Sequence, residues 1–576
     1  MSEEVEYQTE RLDHLGLVAG VCKEAGIAEW LDKRAGENCR SVSVGTATVA
    51  MILNGLGFSN RQLYLVPQFF ANKPVEHLLG EGITADMLND DTLGRTLDWI
   101  YEHDPTMLFA GLALQARQHF GFKAEQVHID TSSFSVNGEY LPKEKTSKEP
   151  IEEEKAGKDL REEEKTGKEP IEEEAIPIAI TYGYSRDHRA DLKQWMMGLV
   201  TTHDGDIPIF MRPLDGNSSD KESISAIVTD VMTQLRQTLP AEEQEPLAVF
   251  DSGGYSQANM TRYNQAKLKW ISRVPETSTE AKAASQEETA DWHQLSDGSG
   301  QYRVCIMDLP QGKERWVIVR TKAGEQAARK QLEKKVKKAQ EQIEKKLWHL
   351  SKQEFACQKD AEAACKQAIK GTPSFLTVSC LYQEEGRYRQ KGRPKTDATP
   401  DYTVWHVVGT LTIDQPEVEA QIRKQASFIL ATNVIEEQEL SHEQVYVKYK
   451  EQGGAERGFR FLKDPLFLAS SVFVKKPERV VALSFLMVLC LLVYRLAERR
   501  LRSQLAATEQ TVPNQVNKPT DRPTMRWIFQ CFEGIDLLHI RIGSRLQTQV
   551  LGLQALHRQV LRLLGPPYSH FYLVSP

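Results

Sequence analysis

From Val480 to Tyr494 the chain is apolar at every position except Ser484. Such a run must be hidden from water on all sides, in a bilayer or deep in a protein core. It falls short of the ~20 residues a spanning helix requires, so a buried core helix and no membrane partner are predicted. A helix apolar all round needs neighbours all round, and a chain of 576 residues can supply them, because it is long enough for three or four structural units. The composition, 40% hydrophobic and 26% charged, is that of a soluble globular protein and excludes wholesale disorder. The opening MSEEVEYQTE is acidic where a secretory signal needs a basic end and an apolar run, which predicts a cytoplasmic protein. The eight cysteines are scattered, with no CxxC pair and no Cys/His cluster at zinc spacing, so neither structural zinc nor a disulfide framework is expected.

The formal net charge of -8 is unevenly spread. Between Lys143 and Glu174 eight basic residues face thirteen acidic ones, a local net of -5 that leaves about -3 for the rest. From Glu456 to Arg502 the balance reverses, ten basic against four acidic. Phosphates respond to such a local patch rather than to the overall charge, so an acidic chain remains compatible with nucleic acid.

Residues 1–120 read as a helical unit, with a helix start at Asp90-Asp91-Thr92. At Gln126 the texture changes to short apolar strands: QVHID, which ends on a carboxylate and runs into the small polar residues of TSSFSVNG, IPIAITYGY from Ile176, WMMGLVTT from Trp195, IPIFMRP from Ile207, PLAVFDSG from Pro246, KWISRV from Lys269 and FILATN from Phe428. With a helix read over Lys221–Leu239 this predicts an α/β domain with a mixed sheet. Two segments interrupt it. The acidic insert 143–174 carries a ten-residue repeat, KEPIEEEKAG and its variants, with almost nothing apolar to bury. The second, 276–426, holds two strand-like runs and a long charged helix on which Leu332, Val336, Ala339, Ile343, Leu347 and Leu350 form one stripe, to be covered by a helical hairpin from 355–370. Residues 427–505 return to the α/β pattern, and 506–576 read as a polar linker and a helical tail.

No GxxxxGK[ST] loop, GxSxG elbow or HExxH helix is present, which leaves nucleotide hydrolysis, serine hydrolase chemistry and zinc proteolysis without their usual residues. The carboxylates remain. Asp130 and Asp251 each end an apolar strand, and acidic groups at neighbouring strand ends can converge on hard divalent cations. Taken alone, either is more often a turn residue. Asp187 and Asp191 rank lower because neither ends an apolar strand.

The segment Tyr449-Lys-Glu-Gln452-Gly-Gly-Ala-Glu456, continuing Arg457-Gly-Phe-Arg460-Phe-Leu-Lys463, is more specific. It resembles the Tyr-x2-Arg-x3-Glu-x6-Lys signature of a large group of DDE insertion-sequence transposases, with Gln452 standing where the signature has Arg. HIDTSSFSV, GYSRDHRADLKQ from Gly183, AVFDSGGYS and WISRVP are also similar to that family, and the resemblance spans about 120–275 and 425–500.

The resemblance implies a ribonuclease H-like catalytic core of α/β class with a mixed sheet, whose first part is 121–275 and second part 427–505. A helical domain would precede it, and an α+β insertion would come before the last catalytic helix. Asp130, Asp251 and Glu456 are then the catalytic residues and the ligands of two Mg²⁺ or Mn²⁺ ions. Tyr449, Gln452, Arg457, Arg460 and Lys463, with Arg186, His188 and Lys193 in the basic stretch, are the expected DNA contacts. The partners implied are double-stranded DNA, both terminal inverted repeats and target, and a second copy of the chain in the DNA complex, in the nucleoid region of the cytoplasm. Rival readings are a metal-dependent nuclease on the same fold and a catalytically silent DNA-binding remnant. At ~100° per residue, Tyr449, Gln452, Glu456 and Lys463 share an arc of roughly 60°, which predicts one continuous helix presenting them together.

Overall fold

The computed structural model describes residues 5–36, 40–59, 63–138, 140, 178–184, 189–238, 246–286, 291–390, 392, 399–467 and 476–574. The acidic repeat, Arg186, Asp187 and His188 lie outside the described residues. The chain divides into two compact bodies, Met1–Ser272 with Lys448–Pro576, and Arg273–Val447.

The sheet of the first body is built from β1 (Gln126–Val136), β2 (Lys193–Thr202), β3 (Pro208–Leu214), β4 (Leu247–Phe250) and β5 (Lys269–Arg273). Their spatial order is β3-β2-β1-β4-β5. The first three form an antiparallel meander, while β4 runs parallel to β1 and β5 parallel to β4. Helices α1 (Asp220–Thr238) and α2 (Gln257–Gln265) make the connections to β4 and β5. This mixed sheet with α crossovers is ribonuclease H-like. β1 is buried along nearly its whole length, as a central strand covered on both faces must be. The 177–184 segment does not form a strand: among its described residues only an isolated bridge, Thr181 to Gln194, joins it to β2.

The two faces of the sheet separate cleanly. Thr131 on β1 is paired with Gly198 on β2, where an added Cβ would lie 2.1 Å from Ile227 of α1, so α1 packs against that face. Asp130 is paired with Leu199, whose side chain points the other way and meets Gly458. That second face carries α4 (Gly453–Leu462), which follows α3 (His442–Lys450) in the chain.

The apolar run lies in α5 (Pro477–Ala507), a 31-residue helix long and apolar enough to cross a membrane, whose apolar stretch is wholly buried within the first body. It packs against helices Leu15–Glu24, Val44–Leu56, Asp90–Glu102 and Pro105–Phe120 of the N-terminal region, and also against β3 and α4. Ion pairs lock it in place: Arg479 takes Asp98 in two bonds of 2.7 Å, and Arg499 takes Asp204 in bonds of 2.8 and 2.7 Å.

After α5 the chain is not purely helical. Strands Asp536–Ile542 and Arg545–Leu551 form a hairpin around Gly543-Ser544, with Gly543 at φ 58°, and the first of them pairs with Val5–Arg11. The alternation in DLLHIRI-GS-RLQTQVL, with a glycine at the turn, is the physical cause. The segment is tied to the N-terminal helices: Tyr572 Oη donates to the Asp13 carbonyl at 2.6 Å and Tyr568 Oη to Glu24 at 2.8 Å.

In the second body the long helix Lys322–Ser351 buries its predicted stripe, but not chiefly against 355–370. Leu332, Val336, Ile343 and Leu347 pack with Phe375, Leu376, Val418 and Ile422. The cover is an antiparallel ribbon, Leu376–Arg387 with Tyr402–Ile413, and the helix Gln415–Ala426; helix Gln358–Ala368 meets only the end of the stripe, around Leu350. A disulfide joins Cys365 of that helix to Cys380 of the ribbon, a pairing that the cysteine spacing does not announce.

Candidate active site

The register of β1 against β4 pairs Ile129 with Phe250. One residue further along each chain come Asp130, inside β1 rather than at its end, and Asp251, just past the end of β4; neighbouring strand backbones lie about 5 Å apart. Asp130 is half-buried and accepts from the Thr131 amide at 2.8 Å; Asp251 is exposed and follows the last residue of β4. The Tyr449 hydroxyl donates to Asp251 Oδ1 at 3.2 Å.

Helix α4 seats Ala455, Gly458, Phe459 and Leu462 on the sheet, while Glu456, Arg457 and Arg460 are exposed. Phe459 meets Phe134 of β1 with ring centroids 6.3 Å apart, and Lys463 Nζ stands 5.5 Å over the same ring. Gly458, on the other flank of the helix, abuts Leu199 of β2. Glu456 lies two turns before Lys463 and about 20° from it around the axis, so it shares the flank turned towards β1 and, beyond it, β4. Its level along the sheet is set by Gly458, which meets the cross-strand partner of Asp130. Glu456 and Arg460 make no side-chain hydrogen bond or ion pair among the described residues.

The continuous helix expected through Tyr449 and Lys463 is interrupted. Residues 451–452 form a turn, closed by Gln452 N to Tyr449 O at 3.0 Å and Gly454 N to Glu451 O at 3.3 Å. Gly453 and Gly454 disfavour helix by about 1 kcal/mol each relative to Ala, and the chain breaks just before them. The shared-arc argument therefore fails, yet Tyr449 still reaches the site through its bond to Asp251. Gln452, at the start of α4, is half-buried.

Of the other expected DNA contacts, Arg457 is engaged within the chain, donating to Asp206 in bonds of 2.9 and 3.0 Å. Lys193 opens β2 and donates to the Tyr140 carbonyl at 2.8 Å. Asp191 is exposed and paired with Arg189. Residues without any sequence signal close the joint between α3 and α4: the buried Gln126 accepts from Lys448 Nζ at 3.0 Å and donates to the Lys448 carbonyl at 3.0 Å and to Glu451 at 3.2 Å. Beside it His128 is fully buried, and burial lowers its pKa to about 4.

The donor set suits a hard cation, since two carboxylates on one face offer oxygen ligands. Among the described residues no three His, Cys, Asp or Glu side chains stand close enough together to hold a metal ion, so chelation by all three carboxylates requires side-chain movement.

Residues 7–114 match a domain of unknown function (DUF4277). No curated protein matches the chain. Among solved structures, a piggyBac transposase synaptic complex with hairpin DNA aligns at a TM-score of 0.37 and 9% identity, covering 92% of this chain and 82% of that one. Residues 165–493, more than half of the sequence, match the family model described as a transposase DDE domain, and the chain belongs to that family.

Proposed function

We propose that this transposase cuts DNA at the ends of an insertion sequence and joins the released 3′-hydroxyl to target DNA, with Asp130, Asp251 and Glu456 as the ligands of two Mg²⁺ or Mn²⁺ ions. The observation that carries the reading is the β1–β4 register, which makes the chains bearing Asp130 and Asp251 neighbours in a sheet that α4, the helix bearing Glu456, packs against. Divalent ions held there would activate the attacking oxygen and stabilise the leaving one. The chain's own contribution is alignment: the β-ladder fixes the spacing of Asp130 and Asp251, and Tyr449 orients Asp251 through its hydroxyl. Lys463 and Arg460, on the flank of α4 that carries Glu456, supply positive charge for phosphate oxygens; such contacts set register and carry little sequence information. Arg457, committed to Asp206, is left out of that set. A second copy of the chain would engage the other end in the DNA complex.

The test is cleavage of a supercoiled plasmid that carries the gene with its own flanking DNA. Asp130→Asn, Asp251→Asn and Glu456→Gln should each abolish cutting while the DNA is still retained in EDTA. A variant that cuts at the wild-type rate removes its residue from the site. Joining of a pre-cut end to a second plasmid separates a transposase from a nuclease on the same fold.

A further inference from the structure

Asp206 lies in the loop that joins β2 to β3, at φ 56°, and its side chain is 15% exposed. Two residues of α4 and one of α5 converge on it. Arg457 grips it with two hydrogen bonds, Nε to Oδ2 at 2.9 Å and Nη2 to Oδ1 at 3.0 Å. Gly454 passes so close that a Cβ there would stand 2.4 Å from Oδ1. Arg495 of α5 approaches Oδ2 at 3.9 Å from the far side.

Elsewhere the start of α4 is loosely specified. It follows a break, opens on two glycines that offer no side chain to wedge it, and has no side-chain cap. Glu456 is the residue before Arg457, about 100° round the helix from it. Holding Arg457 on the β2–β3 loop therefore fixes the direction in which Glu456 leaves the helix, on the flank turned towards β1. A fork-shaped guanidinium suits this task because two parallel bonds fix direction as well as distance.

We propose that Asp206, through Arg457, is the positioning residue that sets the rotation of α4 and so aims Glu456 at the carboxylate pair. The proposal rests on Glu456 being a metal ligand. Half-exposed ion pairs contribute little to stability, so the clamp's effect should be read in metal binding rather than in unfolding.

The experiment uses the full chain free of metal, titrated with Mn²⁺ and followed by the electron paramagnetic resonance signal of free Mn²⁺. Asp206→Asn and, from the exposed side, Arg457→Gln should weaken Mn²⁺ binding about tenfold, the lower end of what residues behind a ligand cause. The Mg²⁺ concentration for half-maximal plasmid cleavage should rise in step, with DNA retention in EDTA unchanged. Arg457→Lys, which keeps the charge and loses the fork, should recover only part of the binding. Glu456→Gln separates the two layers. If it abolishes cleavage while both clamp variants bind Mn²⁺ like the wild type, the positioning role is overturned and Glu456 stands. If Glu456→Gln itself cleaves and binds Mn²⁺ normally, the assignment of Glu456 falls and the clamp proposal with it.

Discussion

The two glycines at the start of α4 give opposite answers to the same substitution. At Gly453 an added Cβ would meet Arg457 Nη1 at 2.9 Å, the end of a flexible side chain and a nitrogen that takes no part in the Asp206 bonds. At Gly454 it would meet Asp206 Oδ1 at 2.4 Å and Cγ at 3.0 Å, atoms pinned from the other side by Arg457. Either change to Ala gains up to about 1 kcal/mol of helix propensity. For Gly454→Ala the displaced Asp206 forfeits its paired bonds, worth about 1 kcal/mol at a half-exposed arginine, so the net stability change is close to zero. Thermal unfolding therefore does not separate the variants, and metal-dependent cleavage does. Gly453→Ala should cut like the wild type, whereas Gly454→Ala should need about ten times more Mg²⁺ for half-maximal cutting. Equal Mg²⁺ requirements in the two would show that the contact with Asp206 is incidental and would refute the reasoning.

Lys463→Ala should flatten the salt dependence of DNA binding by about one phosphate contact, read as the slope of log affinity against log salt. An unchanged slope would leave Lys463 as a cover for Phe134 alone. His14 and His128 are both buried, and desolvation lowers each from 6.5 to about 4. The unfolded chain then takes up protons first, so their stabilisation is complete above about pH 6.5 and is lost as pH falls towards 4, up to about 3 kcal/mol each. Thermal midpoints between pH 7 and 4.5 should fall more steeply in the wild type than in His128→Gln; parallel curves would mean that His128 is protonated in the folded protein.

The parts of the site that were legible in sequence are those written locally. Asp130 and Asp251 stand out because apolar runs stop on a carboxylate, although β1 itself continues past Asp130 to Val136, and Glu456 and Lys463 stand out because a motif spaces them. Helix continuity across Gly453 was not legible, because propensity and amphipathic spacing pull in opposite directions there and the spacing lost. The ribbon 376–413 escaped for another reason: one face is largely in water, so charged and apolar residues mix along it and no clean period emerges. Asp206 could not have been found at all. In HDGDIP it reads as a turn residue, and its role depends on a partner 251 positions away.

What these placements imply is a site with a fixed part and an adjustable part. Two carboxylates at the backbone spacing of neighbouring strands, about 5 Å, would repel by about 3 kcal/mol at an effective dielectric near 20. A β-ladder can bear that cost because neither strand can move without breaking its pairing on both sides. A third carboxylate fixed at the same spot would add a comparable penalty with no ladder to absorb it. Glu456, exposed on a short helix that starts after a break, avoids the penalty until a cation compensates the charge. The clamp at Asp206 then matters for the direction of approach more than for the resting position. On this argument, neutralising one member of the pair, as in Asp251→Asn, should destroy chemistry and at the same time make the metal-free protein slightly more stable. Replacing Glu456 should destroy chemistry with no such gain.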